Sequence, residues 1–136
     1  MRELDPPAEP AAVPIEMLRS GSGGARTVTY NQGTGRTDLV FDWDIGGAWK
    51  FENGLIWEDS SVTTLSITDG DPLSAEVVVE NTSLYEDGDR TVEIVCRGAM
   101  SCTADDFLVT SQLDVRENGR RMFSRAWDCR FPRDHM

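Results

Sequence analysis

The sequence predicts an all-β domain: an antiparallel β-sandwich, jelly-roll-like, with an extended Pro-rich arm at its N-terminus. Three observations lead there. From residue 27 onward apolar side chains recur with a period of two, as they do on strands with one buried face. Asn-Gly and Asp-Gly pairs separate the apolar runs, and such pairs favour tight turns. Pro6, Pro7, Pro10 and Pro14 crowd the start, where they block helix and central strand alike.

Residues 1–26 form the arm and a joint. The prolines are followed by a short apolar patch (Val13, Ile15, Met17, Leu18) and then Gly21-Ser22-Gly23-Gly24. This reads as an extended segment lying on a surface, ending in a flexible link. A phosphate-binding loop would need a Lys-Ser/Thr pair and a preceding strand, and neither is present.

Residues 27–136 form the sandwich. Val28 and Tyr30 alternate with threonines, and Leu39, Phe41, Trp43 and Ile45 alternate with Asp42 and Asp44. Leu65 and Ile67, then Val77 and Val79, then Val92, Ile94 and Cys96 continue the pattern. Phe107, Val109, Leu113 and Val115 follow, and Phe123, Trp127, Cys129 and Phe131 close it. Spacing of this kind gives roughly seven or eight strands. Asn53-Gly54, between Trp49-Lys50-Phe51 and Leu55-Ile56-Trp57, predicts a hairpin. Pro72, in Asp69-Gly70-Asp71-Pro72, must leave the ladder because it has no N–H to donate. Glu86-Asp87-Gly88-Asp89 and Thr103-Ala104-Asp105-Asp106 mark the next breaks. For the last hairpin, a three-residue loop Glu117-Asn118-Gly119 sets Leu113 opposite Phe123, Val109 opposite Trp127 and Phe107 opposite Cys129. A two-residue Asn118-Gly119 loop would pair Glu117 with Arg120, set Leu113 opposite Ser124 and turn Phe123 and Trp127 to the wrong face. The three-residue loop is therefore expected, with Gly119 in the left-handed conformation of a G1 bulge.

Chemistry is sparse. The single histidine, His135, lies next to the C-terminal residue, and no G-x-S-x-G elbow occurs. No catalytic residue is therefore assigned. The acidic pairs Asp42/Asp44, Asp69/Asp71, Asp87/Asp89 and Asp105/Asp106 fall on a strand's solvent side or in turns, where Asp bonds its own backbone. No EF-hand loop and no zinc spacing occurs among them or the cysteines. No metal or cofactor is expected. Cys96, Cys102 and Cys129 read as buried small hydrophobes. Asn81-Thr82-Ser83 matches a glycosylation sequon, and in a chain read as intracellular that match carries no function. Trp43 and Trp127 read as core. Trp49 and Trp57 flank the hairpin and are the candidate ligand or interface residues.

The net charge of −11 argues against nucleic acid or an anionic membrane as partner. No apolar run reaches the length of a membrane span, and the first residues lack a signal peptide's apolar stretch. With an odd number of cysteines, this reads as a soluble cytoplasmic protein.

Several segments resemble the C-terminal β-domain of CocE/NonD-type serine hydrolases, within the X-Pro dipeptidyl-peptidase group. They are Ile67-Thr68-Asp69-Gly70-Asp71-Pro72-Leu73-Ser74-Ala75, Met100-Ser101-Cys102-Thr103-Ala104-Asp105-Asp106-Phe107, and Val115-Arg116-Glu117-Asn118-Gly119. The closing residues Phe123-Ser124-Arg125, Trp127 and Phe131-Pro132-Arg133-Asp134 are similar too, as is Glu16-Met17-Leu18-Arg19 at the end of the arm. The resemblance is loose over 1–66 and better over 67–136. It implies a jelly-roll-like sandwich that packs on an α/β-hydrolase domain holding the Ser, Asp and His. No position here matches a triad residue. The expectation is a non-catalytic accessory or assembly module that self-associates or meets a protein partner. The alternative is a stand-alone jelly roll binding a small ligand or carbohydrate.

Overall fold

The computed structural model describes residues 14–44 and 46–134. Among them the chain is all-β, with nine strands in one antiparallel sheet. The strands are β1 (Ile15–Arg19), β2 (Ala25–Asn31), β3 (Arg36–Trp43), β4 (Ala48–Phe51) and β5 (Ile56–Thr68). They continue as β6 (Asp71–Asp87), β7 (Arg90–Cys102), β8 (Asp106–Glu117) and β9 (Arg120–Pro132).

Strands β5 to β9 form an up-and-down meander, each paired with the next. On its other edge β5 is shared by two strand pairs. Ile56–Glu58 pairs with β4, which carries β1, while Ser61–Thr68 pairs with β3, which carries β2. The apolar patch of the expected arm is thus in part a strand: Ile15 pairs with Phe51 and Met17 with Trp49. Val13, Ile45 and His135 lie outside the described residues.

Joined across the sheet, the paired residues define two chemically distinct faces. One row runs Val28–Leu39–Leu65–Val77–Met100–Val109–Cys129, apolar on seven successive strands. Val40, Thr64, Val78, Ala99, Thr110 and Asp128 form the neighbouring row on the opposite face. That face carries cross-strand ion pairs: Glu80 with Arg97 at 3.4 Å, Glu93 with Arg116 at 3.6 Å, and Asp114 with Arg121 at 3.4 Å. The period-two reading of the sequence therefore holds strand by strand.

Among the described residues the strands form one sheet, where the sequence led us to expect two. No second sheet packs on the apolar face among the described residues, and strand backbones approach only their hydrogen-bonded neighbours. Among the described residues only Gly47, Ala48 and Ser66 are buried. Trp43 and Trp127, read as core, remain 43% and 36% exposed. They sit on the face that alternation assigns them, but nothing among the described residues covers that face.

Two turns differ from or refine expectation. The β8–β9 hairpin closes on two residues, Asn118-Gly119, with Glu117 opposite Arg120. Both turn residues have positive φ (48° and 77°), as a type I′ turn requires. The irregularity predicted within the loop lies instead in β9. Arg116 pairs with Arg121 and Val115 with Phe123, so Met122 is an extra, bulged residue. The bulge returns Phe123, Trp127, Cys129 and Phe131 to the apolar face, but with pairings shifted from those expected. Leu113 faces Arg125, Ser111 faces Trp127, Val109 faces Cys129 and Phe107 faces Phe131. At the β5–β6 turn, Thr68 pairs with Asp71 and Ser66 with Glu76, so Pro72 lies in an excursion from the ladder, as its missing N–H demands. Ser74 Oγ fills part of that gap, accepting from Thr68 N at 2.8 Å and donating to Asp71 O at 2.6 Å.

Candidate functional site: an uncovered apolar face

The apolar face has three zones. At one end of the sheet, Leu39, Leu65, Ile67, Val77, Met100 and Phe107 line a cavity of about 390 Å³, walled mostly by apolar atoms. Across the middle runs a polar band, Ser61–Asn81 beside Asp59–Ser83, in which Ser83 Oγ donates to Asp59 Oδ1 at 2.6 Å. At the other end lies an aromatic row, Met17–Trp49–Trp57–Tyr85.

Trp49 and Trp57 therefore come together, directly opposite one another on β4 and β5. Both are half-buried. The Trp49 indole N–H donates to Gly46 O, which fixes its ring. The Asn53-Gly54 hairpin behaves as predicted, with Gly54 N bonding Phe51 O at 2.9 Å and Phe51 N bonding Leu55 O at 2.8 Å. The cavity, formed by β3, β5, β6, β7 and β8, does not include this pair. Alternation in the sequence assigned Leu39, Leu65, Ile67, Val77 and Phe107 to the apolar face but did not place Met100, and it carried no sign that the face would stay open.

Charge is nearly excluded from this face within the strand interiors. Arg26 lies over the Phe41 ring at 5.4 Å, and Arg125 over Trp127 at 5.0 Å. Asp59 is the one carboxylate there, and Ser83 serves it. All three thiols are on this face: Cys96 opposite Leu113, Cys102 opposite Phe107 and Cys129 opposite Val109. They are unbridged.

Three of the acidic pairs contribute a carboxylate to structural contacts. Arg19 bridges Asp44 at 2.7 Å and also Glu58, tying β1 to the chain after β3 and to β5. That hydrogen bond holds the Asp44 carboxyl below the usual carboxylate range and raises the Arg19 guanidinium. Asp69 Oδ2 accepts from Tyr30 Oη at 2.9 Å, raising the phenol. Arg130 pairs with Asp106 and lowers its carboxyl. Asp71 Oδ1 accepts from Leu73 N at 3.1 Å, as a turn aspartate does. Among the described residues no group of three or more His, Cys, Asp or Glu is placed to hold a metal ion.

No family model, no curated protein and no solved structure matches this chain.

Proposed function

We propose that this chain is a non-catalytic accessory or assembly module, of the kind its resemblance to the C-terminal domain of CocE/NonD-type hydrolases implies. Its apolar face meets a protein layer supplied from outside the chain, which completes the β-sandwich in trans. The observation that carries this reading is the seven-strand row from Val28 to Cys129, wholly apolar and left uncovered by the described residues, on a sheet whose other face is charged. Monomeric soluble proteins rarely leave so large a contiguous apolar patch open.

Neighbouring residues of β7 give the test. Met100 lies on the apolar face and Ala99 on the other. Met100→Lys is expected to change either the sedimentation of the chain or its binding of a hydrophobic dye, while Ala99→Lys changes neither. Identical behaviour of both variants and the wild type would overturn the reading. No ester hydrolysis above background is expected from the purified chain.

The cavity favours a second reading, a small apolar ligand. Its volume of about 390 Å³ falls in the range of ligand pockets. Saturable binding of a medium-chain fatty acid, lost in Phe107→Ala, would support it. The carbohydrate version has less support, because Trp49 and Trp57, paired across β4 and β5, are both half-buried.

A further inference from the structure

We infer that the layer covering the apolar face is a second copy of this chain, packed sheet to sheet about a two-fold axis that runs along the strands over β6. The inference rests on the assembly reading above and adds the identity of the partner.

Three observations carry it. The first is area. Seven strands abreast at ~4.8 Å spacing, averaging about 12 residues in length at ~3.3 Å per residue, present a face of roughly 1,300 Å². Two copies would bury roughly 2,600 Å², inside the range of ~2,000–5,000 Å² typical of obligate dimers.

The second is symmetry. Isologous interfaces need a patch complementary to itself. An axis along the strands keeps every cross-sheet row against the same row of the second copy. The apolar row then meets itself, and so does the band of Asp59, Ser61, Asn81 and Ser83. β6 is the fourth of the seven strands, so Val77 falls on the axis, with Leu65 and Met100 on either side of it. Gly98 and Ser111, small side chains in the adjoining row, let the sheets approach near the middle.

The third is charge. A net charge of −11 opposes association of like chains wherever the charges meet. Here the strand-interior carboxylates other than Asp59 lie on the opposite face, among them Glu58, Glu76, Glu80 and Glu93. The two copies approach through the face that carries least of it.

Light scattering on the full chain tests the assignment. The wild type is expected at twice the chain mass. Val77→Asp, which sets two carboxylates on the axis, is expected at the single-chain mass with its far-UV strand signal retained. Val78→Asp, one residue along and on the other face, is expected to stay at twice the mass. If Val77→Asp does not fold, the wild type's mass over a dilution series decides alone. A wild type at single-chain mass throughout would overturn the second copy. In that event, dye binding that responds to Met100→Lys leaves the assembly reading standing, and dye binding that ignores it overturns both.

Discussion

Asn118 shows how much one residue decides here. It sits at φ 48°, a left-handed conformation that costs most L-residues about 1–2 kcal/mol. It also docks on the neighbouring strand: its Oδ1 accepts from Thr91 N at 2.7 Å, and its own N–H bonds Thr91 O at 2.8 Å. Asn118→Ala removes the side-chain bond and the tolerance for positive φ together. It is expected to lower the unfolding free energy by about 1–3 kcal/mol, measured by urea denaturation. Gly47 is constrained differently. At φ 65° it packs against the end of β1, and an added Cβ would strike Arg19 O and come within 2.6 Å of Gly21 N. At Asp106 the constraint is electrostatic. Arg130 lowers its folded-state pKa below the ordinary 3.8, so the pair contributes stability above that value and loses it as pH falls through the lowered one. The stability difference between wild type and Arg130→Met is therefore expected to be present at neutral pH and to close below pH 3.8. A difference that widens on acidification would contradict the pairing.

At the scale of the strand, β9 is the element that defines the sheet's limit. It pairs only with β8, and all of its residues are exposed. An open edge of this length invites pairing with another chain, and β9 carries Arg120, Arg121, Arg125 and Arg130, its terminal Pro132 and the Met122 bulge, which are devices that discourage it. If association runs through the face and not the edge, alternate amides of β9, those pointing away from β8, are expected to exchange fast with solvent even in the assembled protein. Uniform protection along β9 would instead indicate edge-to-edge pairing. This strand also shows what was legible beforehand. Alternation gave the right face for Phe123, Trp127, Cys129 and Phe131, because burial chemistry is written residue by residue. It did not give their partners, because a bulge leaves almost no mark in the sequence: Met122 is an ordinary residue, and a two-residue turn followed by a bulge returns the same face as a longer loop. Ile15–Arg19 was missed as a strand for a related reason, since its pairing with β4 depends on a distant segment and its local signal is diluted by nearby prolines.

For the whole molecule, the sequence specified the faces of the sheet and left the number of layers open. A face from Val28 to Cys129 reads identically whether its cover comes from the same chain or another, since alternation records burial and not the source of the burying group. Trp49 and Trp57, singled out as flanking a hairpin, were brought together by pairing of β4 with β5, yet the larger apolar feature lies across Leu65 and Phe107, which looked like unremarkable core, and Met100, which alternation had not singled out. What matters is whether that face is covered in the native protein. The cysteines report on it directly, since Cys96, Cys102 and Cys129 all lie there. Their labelling by a thiol reagent under native conditions is predicted to be slow in the wild type and in Val78→Asp, and fast in Val77→Asp. Equal labelling rates in all three proteins would contradict a second layer over the sheet.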